Sequence, residues 1–182
     1  MEYASKDLIN EHEGILFGLK ILEKMLDNLK AQQPVPQKDL QNMVMFLKLF
    51  ADKCHHGKEE GLMFPAMEQA GIPKDQGPIG QMLAEHELGR TYIRGMDAAS
   101  SGATLDAASF STNARDYIAL LRNHIEKENR VLFPMGDRLL PRETQAELLN
   151  EFEEFEEHVM GAGTHEKLHE MLHEFEGKYL RG

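Results

Sequence analysis

The sequence HIEKENRVLFP at residues 124–134 is matched by the sequence HHGKEEGLMFP at residues 55–65. Aligning the two Phe-Pro steps pairs the histidines and the glutamates of the two stretches: His55 with His124, and Glu59 with Glu128. In each stretch the histidine and the glutamate are four residues apart, a spacing that places both side chains on one face of a helix. The repeat therefore predicts two similar helices, each presenting an imidazole and a carboxylate to a shared interior.

The stretch at 55–65 contains a second pair with the same spacing, His56 and Glu60. At helical steps, His56 continues a polar series that contains Lys48 and Asp52. His55 continues an apolar series that contains Val44, Leu47 and Ala51. Apolar series face the core of a helical protein, whereas charged series face water. We therefore predict that His55 and Glu59 point inward and that His56 and Glu60 form an outer pair.

Helical periodicity extends over nearly the whole chain, and no strand-like alternation competes with it. Proline and glycine segments divide it into predicted helices at about 5–31, 37–63, 78–99, 104–133, 142–158 and 164–180. We expect the Phe-Pro steps to disturb the second helix and to stop the fourth, because proline lacks the amide hydrogen that a helix interior uses. The length of 182 residues predicts one domain, residues 1–182, with a bundle core at about 5–135 and a helical extension at about 141–180.

In each of the first four predicted helices, a histidine occupies a position of the apolar series that faces the interior. These histidines are His12, His55, His86 and His124. Together with Glu59 and Glu128, these side chains bring six polar groups into one core. Buried polar groups without partners cost roughly 1–3 kcal/mol each, so either a hydrogen-bond network or a metal ion must satisfy them. The combination of imidazole and carboxylate favours a metal ion.

The charge balance and the single cysteine exclude several other classes of protein. The chain has 20 Lys and Arg against 31 Asp and Glu, a formal net charge of −11, which argues against nucleic acid or an anionic membrane surface as a partner. Cys54 alone builds neither a disulfide framework nor a zinc-thiolate cluster. No apolar run is long enough to span a membrane and no signal peptide is evident, so the expected location is the cytoplasm.

These motifs together resemble the hemerythrin-like, or HHE cation-binding, family in its bacterial di-iron form. The matching segments are one set per helix: Asn10-Glu11-His12; His55…Glu59-Glu60…Phe64-Pro65; Gly77-Pro78-Ile79 with Glu85-His86-Glu87; and His124…Glu128-Asn129…Leu132-Phe133-Pro134. The resemblance is strong over about 5–135 and weaker through the last two helices. It implies an all-α fold, an antiparallel up-down four-helix bundle with additional C-terminal helices.

The resemblance also implies a centre of two non-haem irons, with Mn or Zn as substitutes. By position, the four interior histidines correspond to terminal nitrogen ligands, and Glu59 and Glu128 to carboxylates that bridge the irons beside an oxo or hydroxo bridge. Oxygen-carrying hemerythrins have a second histidine one turn after that of the third helix, where this chain has Arg90. Their last motif has an aspartate five residues after its histidine, where this chain has Glu128 at four. We therefore expect four histidine ligands, which argues against an oxygen carrier.

The resemblance favours a protein that binds or senses a small molecule, O₂, NO or peroxide, with an unidentified protein partner for any signalling. Two alternatives stay open: an enzyme acting on peroxide or NO or in iron-centre repair, and an iron store. Repair proteins of the family usually carry paired cysteines, which this chain lacks. A metal-free helical interaction module is a further alternative.

Five histidines lie outside the predicted centre: His56, His158, His165, His169 and His173. The last three are spaced four apart, a spacing compatible with a surface metal site, but a parallel row of glutamates at 166, 170 and 174 favours a solvated charged stripe. We therefore expect all five to be peripheral.

Overall fold

The computed structural model describes residues 3–181, which form helices joined by short loops. The α-helices, in chain order, are α1 Ala4–Lys30, α2 Gln37–Phe46, α3 Phe64–Gln69, α4 Pro78–Ser101, α5 Ala107–Lys127, α6 Phe133–Leu139, α7 Arg142–Met160 and α8 Thr164–Phe175. Four π-helical segments continue these helices: Leu47–His56, Glu59–Met63, Glu128–Leu132 and Glu176–Leu180. Within residues 3–181 there is no β-strand, and none of the helices combines the length and the apolarity needed to cross a membrane.

The bundle consists of α1, the continuous helix from α2 to α3, α4, and the continuous helix from α5 to α6. α4 packs along α5, and α1 contacts both α5 and α2. α7 lies against α1 and the π-helical segment Leu47–His56, and α8 lies against α1. The predicted all-α class, an antiparallel four-helix bundle with additional C-terminal helices, is confirmed.

Two clusters of apolar side chains fill the bundle, one on each side of a polar layer. The larger cluster includes Leu19, Phe46 and Tyr117, and the smaller includes Met67, Phe133 and Phe152. On α1, His12 lies between Leu8 of the smaller cluster and Ile15 of the larger one, and all three side chains are buried. The apolar series of the sequence therefore places its one polar step at the level where the two clusters meet.

The helices continue through both Phe-Pro steps, so the predicted stop near Phe133-Pro134 is wrong. α3 and α6 each begin at the phenylalanine of the step, which places Pro65 and Pro134 in the first turn. Each follows a π-helical segment of five residues, in which the hydrogen bonds skip one residue more than in an α-helix. A proline in the first turn of the new α-helical segment has no intrahelical bond to lose, so the chain continues at little cost.

α7 is attached to the bundle by contacts at both of its halves. Gln145 accepts a hydrogen bond through Oε1 from the backbone amide of Ala4 at 2.8 Å, which satisfies one free amide at the start of α1. Gly57 faces Phe155, and a Cβ at that glycine would lie 2.8 Å from Cζ of the ring. The glycine therefore permits α7 to approach the helix that carries His55 and His56.

Candidate metal centre

The six residues of the predicted centre lie together in the polar layer, and each is at most 1% exposed. They are His12, His55, Glu59, His86, His124 and Glu128. Each helix of the bundle contributes one histidine, and the two glutamates are the first residues of the π-helical segments Glu59–Met63 and Glu128–Leu132. π-Helical turns occur frequently at functional sites, because the wider turn redirects the side chains that follow it.

The two carboxylates each face two histidines, one through each oxygen. Measured from the imidazole Nε2, the nitrogen–oxygen distances are 3.5 Å for His55–Glu59, 3.3 Å for His86–Glu59, 3.3 Å for His12–Glu128 and 3.2 Å for His124–Glu128. Both carboxylates therefore extend from the side of the layer that contains His12 and His55 to the side that contains His86 and His124. A carboxylate that bridges two ions requires this placement.

The candidate ligand atoms form two groups that share Glu59. One group is His12, His55, Glu59 and Glu128, and the other is His56, Glu59, His86 and His124. Within each group the atoms lie within 4.8 Å of one another. Two ligands at about 2.0–2.1 Å from one ion are about 2.9–3.4 Å apart for ordinary coordination angles. The distance of 3.1 Å between the Nε2 atoms of His86 and His124 lies in this range.

His56 belongs to the second group, so the prediction that it is peripheral is wrong. Its side chain is 2% exposed, and its ring stacks on His86 with 3.8 Å between centroids. Two local features explain the error. The segment Leu47–His56 is π-helical, and the series drawn at the α-helical period places His55 on the inward face correctly but misses His56, which is buried beside it. In addition, Asp52 does not face open water but pairs with Arg90 of α4.

Four of the five buried histidines donate their Nδ1 hydrogen to an oxygen behind the centre. The pairs are His12 with Asn129 Oδ1 at 2.8 Å, His55 with Glu11 Oε2 at 2.8 Å, His86 with Glu60 Oε1 at 2.7 Å, and His124 with Glu85 Oε2 at 2.9 Å. Such outer partners fix the tautomer and the ring orientation of metal-binding histidines. Nε2 of each ring is therefore directed into the polar layer, and Glu60 has the outer position that the sequence predicts for it.

By the sequence resemblance, Arg90 stands at the position where oxygen-carrying hemerythrins have a further histidine. It holds the carboxylates behind His56 and His86. Its guanidinium donates to Asp52 at 2.8 Å and to Glu60 at 2.7 Å. Glu60 accepts the Nδ1 hydrogen of His86, and Oδ1 of Asp52 lies 3.5 Å from Nδ1 of His56. The expected set of four buried histidines is therefore corrected to five. The adjacent pair His55-His56, read together with the arginine on the third helix, was the available sequence signal.

The pKa values of four of the buried histidines are shifted, three upward and one downward. Burial opposes a positive charge on His124. The carboxylates of Glu128 and Glu85 outweigh burial and raise the pKa of His124 to about 10. Burial is outweighed in the same way at His55 and His86, whose pKa values are raised by the carboxylates beside them. Burial and the neighbouring imidazoles lower the pKa of His56 well below its usual value. His56 is therefore a neutral imidazole, the form in which histidine binds a metal ion.

Eight buried atoms of the centre have no hydrogen-bond partner. They are Nε2 of His12, Nε2 of His55, both ring nitrogens of His56, and both carboxylate oxygens of Glu59 and of Glu128. A buried polar atom without a partner costs about 1–3 kcal/mol, so their concentration in one layer calls for a cation. Imidazole nitrogen and carboxylate oxygen are donors that suit Fe, Mn and Zn. The residues present thus fit a pair of such ions.

A third group, Glu11, Cys54 and Glu156, lies behind His55 and has a different character. Nζ of Lys58 is 2.6 Å from Glu11 and 3.4 Å from Glu156, so an ammonium already balances these carboxylates. Burial, followed by the charge of Glu11, raises the pKa of the Cys54 thiol to about 12. A thiol with this pKa is not a thiolate ligand at neutral pH, and we assign no metal to this group.

The hemerythrin HHE cation binding domain family matches residues 4–136, which include both candidate ligand groups. The predicted resemblance is thereby confirmed, and so is the coarse function of binding a cation.

Among curated proteins, the chain is similar to the uncharacterized protein Mb2018 of Mycobacterium bovis and to the uncharacterized proteins MT2051 and Rv1995 of Mycobacterium tuberculosis. Each is 29% identical to it over 135 residues, which cover 72% of this chain and 52% of the relative. The chain thus spans about half the length of these relatives. No solved structure matches the chain.

Proposed function

This chain belongs to the hemerythrin HHE cation binding domain family, and we propose from that premise that its polar layer holds two iron ions and binds or senses O₂, NO or peroxide. The observation that carries the proposal is the presence of two candidate ligand groups that share Glu59. Two ions held by a common carboxylate are close enough to act on one small molecule.

We assign five imidazoles and two carboxylates to the two ions. His12 and His55 would bind one ion, His56, His86 and His124 the other, and Glu59 and Glu128 both. The first ion then has four protein ligands and the second has five. Because iron takes up to six ligands, the ion beside His12 and His55 has more positions open to an exogenous ligand. We infer that O₂, NO or peroxide binds on that side.

A bound pair of irons supplies electrons that O₂, NO or peroxide can accept. The protein's own residues hold the rings and keep water out. The Nδ1 hydrogen bonds prevent the imidazoles from turning, and the apolar clusters on both sides of the layer exclude bulk water. An apolar surrounding admits a small uncharged molecule at lower cost than a charged one, which favours O₂, NO and hydrogen peroxide over anions.

Anaerobic reconstitution with Fe²⁺, followed by metal analysis and absorption spectroscopy, tests this proposal. We expect two irons per chain and a change in the spectrum when NO or air is admitted. We also expect His55→Ala and His124→Ala to bind less iron, because each removes a ligand from a different ion. Full iron content in both variants would contradict the assigned centre.

The same iron-loaded protein separates the alternative functions. Steady-state consumption of peroxide or NO would indicate an enzyme, whereas stoichiometric uptake without turnover would indicate a binding or sensing protein. An iron content far above two per chain would indicate a store, because the assigned ligands hold only two ions.

A further inference from the structure

A second histidine cluster lies outside the centre, in the first turns of α8. His165 and His169 are four residues apart and line a surface cleft of about 340 Å³. Four carboxylate side chains line the same cleft: Asp7, Glu11, Glu13 and Glu156. Imidazole and carboxylate are ligand types that divalent transition-metal ions accept, so the cleft has suitable chemistry for such an ion.

The two imidazoles direct equivalent atoms at each other. Nε2 of His165 lies 3.0 Å from Nε2 of His169. One ion bound to two nitrogens at about 2.0–2.1 Å and at a right angle would separate them by about 2.9 Å. Residues four apart lie on one helix face, so α8 already holds both nitrogens at the spacing of a chelate.

Groups from two other helices fix the orientation of these rings. Nδ1 of His165 lies 2.9 Å from Oε1 of Glu156 in α7, which favours a proton on Nδ1 and leaves the Nε2 lone pair facing His169. Phe50 stacks with His165 at 5.5 Å between centroids and meets His169 edge-on at 6.3 Å. A carboxylate behind a metal-binding imidazole is the arrangement that orients such a ligand. The rings are thus positioned by the tertiary fold as well as by α8.

We propose that His165 and His169 bind one divalent first-row transition-metal ion through their Nε2 atoms, at a site separate from the buried centre. We call this pair the α8 site; water completes the ligands of the ion. Burial and the neighbouring histidines lower the pKa of His169, which favours the neutral ring that a metal requires. The α8 site does not depend on which metal the buried centre holds.

Glu156 connects the α8 site to the buried centre. Its Oε1 faces His165, and its Oε2 accepts a hydrogen bond from Nζ of Lys58 at 3.4 Å. Nζ of Lys58 also lies 2.6 Å from Glu11, which accepts the Nδ1 hydrogen of His55 at 2.8 Å. An ion at the α8 site therefore lies at one end of a continuous series of charged contacts that ends on a ligand of the centre.

His173 offers a matched control on the same helix. It is four residues beyond His169, its side chain is 74% exposed, and its Nδ1 is 3.6 Å from Glu176. It has the same chemistry as the other two histidines but does not line the cleft. The sequence prediction of a solvated stripe describes this residue, and the α8 site excludes it.

Zn²⁺ binding to the purified protein, measured by equilibrium dialysis, tests the α8 site. Iron and zinc contents are determined beforehand, and the wild type is compared with His165→Ala, His169→Ala and His173→Ala. We expect each cleft variant to weaken the binding of one Zn²⁺ per chain by at least about tenfold. We expect His173→Ala to stay within about twofold of the wild type, because it is a distant surface change.

Glu156→Gln and a diffraction experiment sharpen the result. The amide supports the Nδ1 proton of His165 less well than the carboxylate, so we expect about tenfold weaker Zn²⁺ binding. Anomalous diffraction from crystals grown with Zn²⁺ should locate an ion between the two Nε2 atoms.

Equal Zn²⁺ binding by the wild type and both cleft variants would overturn the proposal and leave an imidazole pair that shares a hydrogen bond. An equal loss in His173→Ala would also overturn it, because binding would then depend on the number of histidines on α8 and not on the pair. Unchanged iron content in all the variants keeps either outcome distinct from a failure of the proposed di-iron centre.

Discussion

The two Phe-Pro repeats, residues 55–65 and 124–134, share more than a histidine and a glutamate. In each, a lysine lies three residues after the histidine and contacts the glutamate that accepts that histidine's Nδ1 hydrogen. In the first repeat Lys58 contacts Glu11, the partner of His55. In the second Lys127 contacts Glu85, the partner of His124. In each, the side chain five residues after the histidine accepts the Nδ1 hydrogen of a histidine on another helix. Glu60 accepts it from His86, and Asn129 accepts it from His12. The outer hydrogen bonds of the centre therefore repeat with the sequence.

Two adjacent positions among those at which the repeats differ make the two halves of the centre unequal. His56 and Gly57 of the first repeat stand where the second has Ile125 and Glu126. His56 adds an imidazole to one candidate ligand group, and Gly57 admits α7. As a result Lys58 is 1% exposed, whereas the side chain of Lys127 is 36% exposed. One candidate ligand motif thus occurs twice, and the asymmetry of the centre comes from the residues between its histidine and its glutamate.

Removal of the shared carboxylate should lower iron binding in both halves of the centre. Glu59→Ala removes oxygens that face His55 and His86, so we expect both irons to be lost, with affinity lowered more than about 100-fold. Iron analysis after anaerobic reconstitution measures this loss. Glu128→Ala, the matched change in the second repeat, should behave alike. Two irons retained in Glu59→Ala would show that Glu59 does not bridge.

His56→Ile makes the first repeat resemble the second, and it should affect only one half. We expect the iron content to fall from two to about one per chain, because the ion beside His86 and His124 loses an imidazole. Ile125→Val alters the equivalent position of the other repeat and should leave two irons. If His56→Ile also keeps both irons, four histidines suffice and the fifth has another role.

The sequence predicted the inward face of a helix most directly where the helix keeps the α-helical period. His12 and His86 lie on α1 and α4, which are α-helical throughout, so their apolar series identify the inward face correctly. In the π-helical segment Leu47–His56 the same argument placed His55 correctly but missed His56, although both side chains are buried. Alignment of the repeats supported His55 without identifying the role of its neighbour.

The remaining errors concern contacts between helices, which no local pattern encodes. The pairing of Asp52 with Arg90 of α4 removes Asp52 from the solvent-facing series to which the sequence assigned it. The closeness of His165 to Glu156 depends on how α7 and α8 meet, and so does the packing of both histidine rings on Phe50. A charged stripe and a chelating pair have the same spacing in sequence, and only the tertiary fold separates them.

Neutralising the equivalent lysines of the two repeats should lower the free energy of unfolding by different amounts. Lys58→Met leaves Glu11 buried without its ammonium, so we expect a loss of about 3–5 kcal/mol in the free energy of unfolding. Lys127→Met removes a partly exposed ion pair and should cost less than about 1 kcal/mol. Urea unfolding followed by circular dichroism measures both. Equal losses would mean that α7 does not shield Lys58 from water.

Gly57→Ala should produce the smallest effect that still distinguishes the repeats. Its Cβ would lie 2.8 Å from Cζ of Phe155, and forcing that ring aside costs about 1–3 kcal/mol. Alanine recovers about 1 kcal/mol of helix propensity over glycine, so we expect a net loss of up to about 2 kcal/mol in urea unfolding. Glu126→Ala, the equivalent exposed position, should change stability by less than about 0.5 kcal/mol. A gain in stability for Gly57→Ala would show that α7 yields at this contact, and the inequality of the two repeats would then rest on His56 alone.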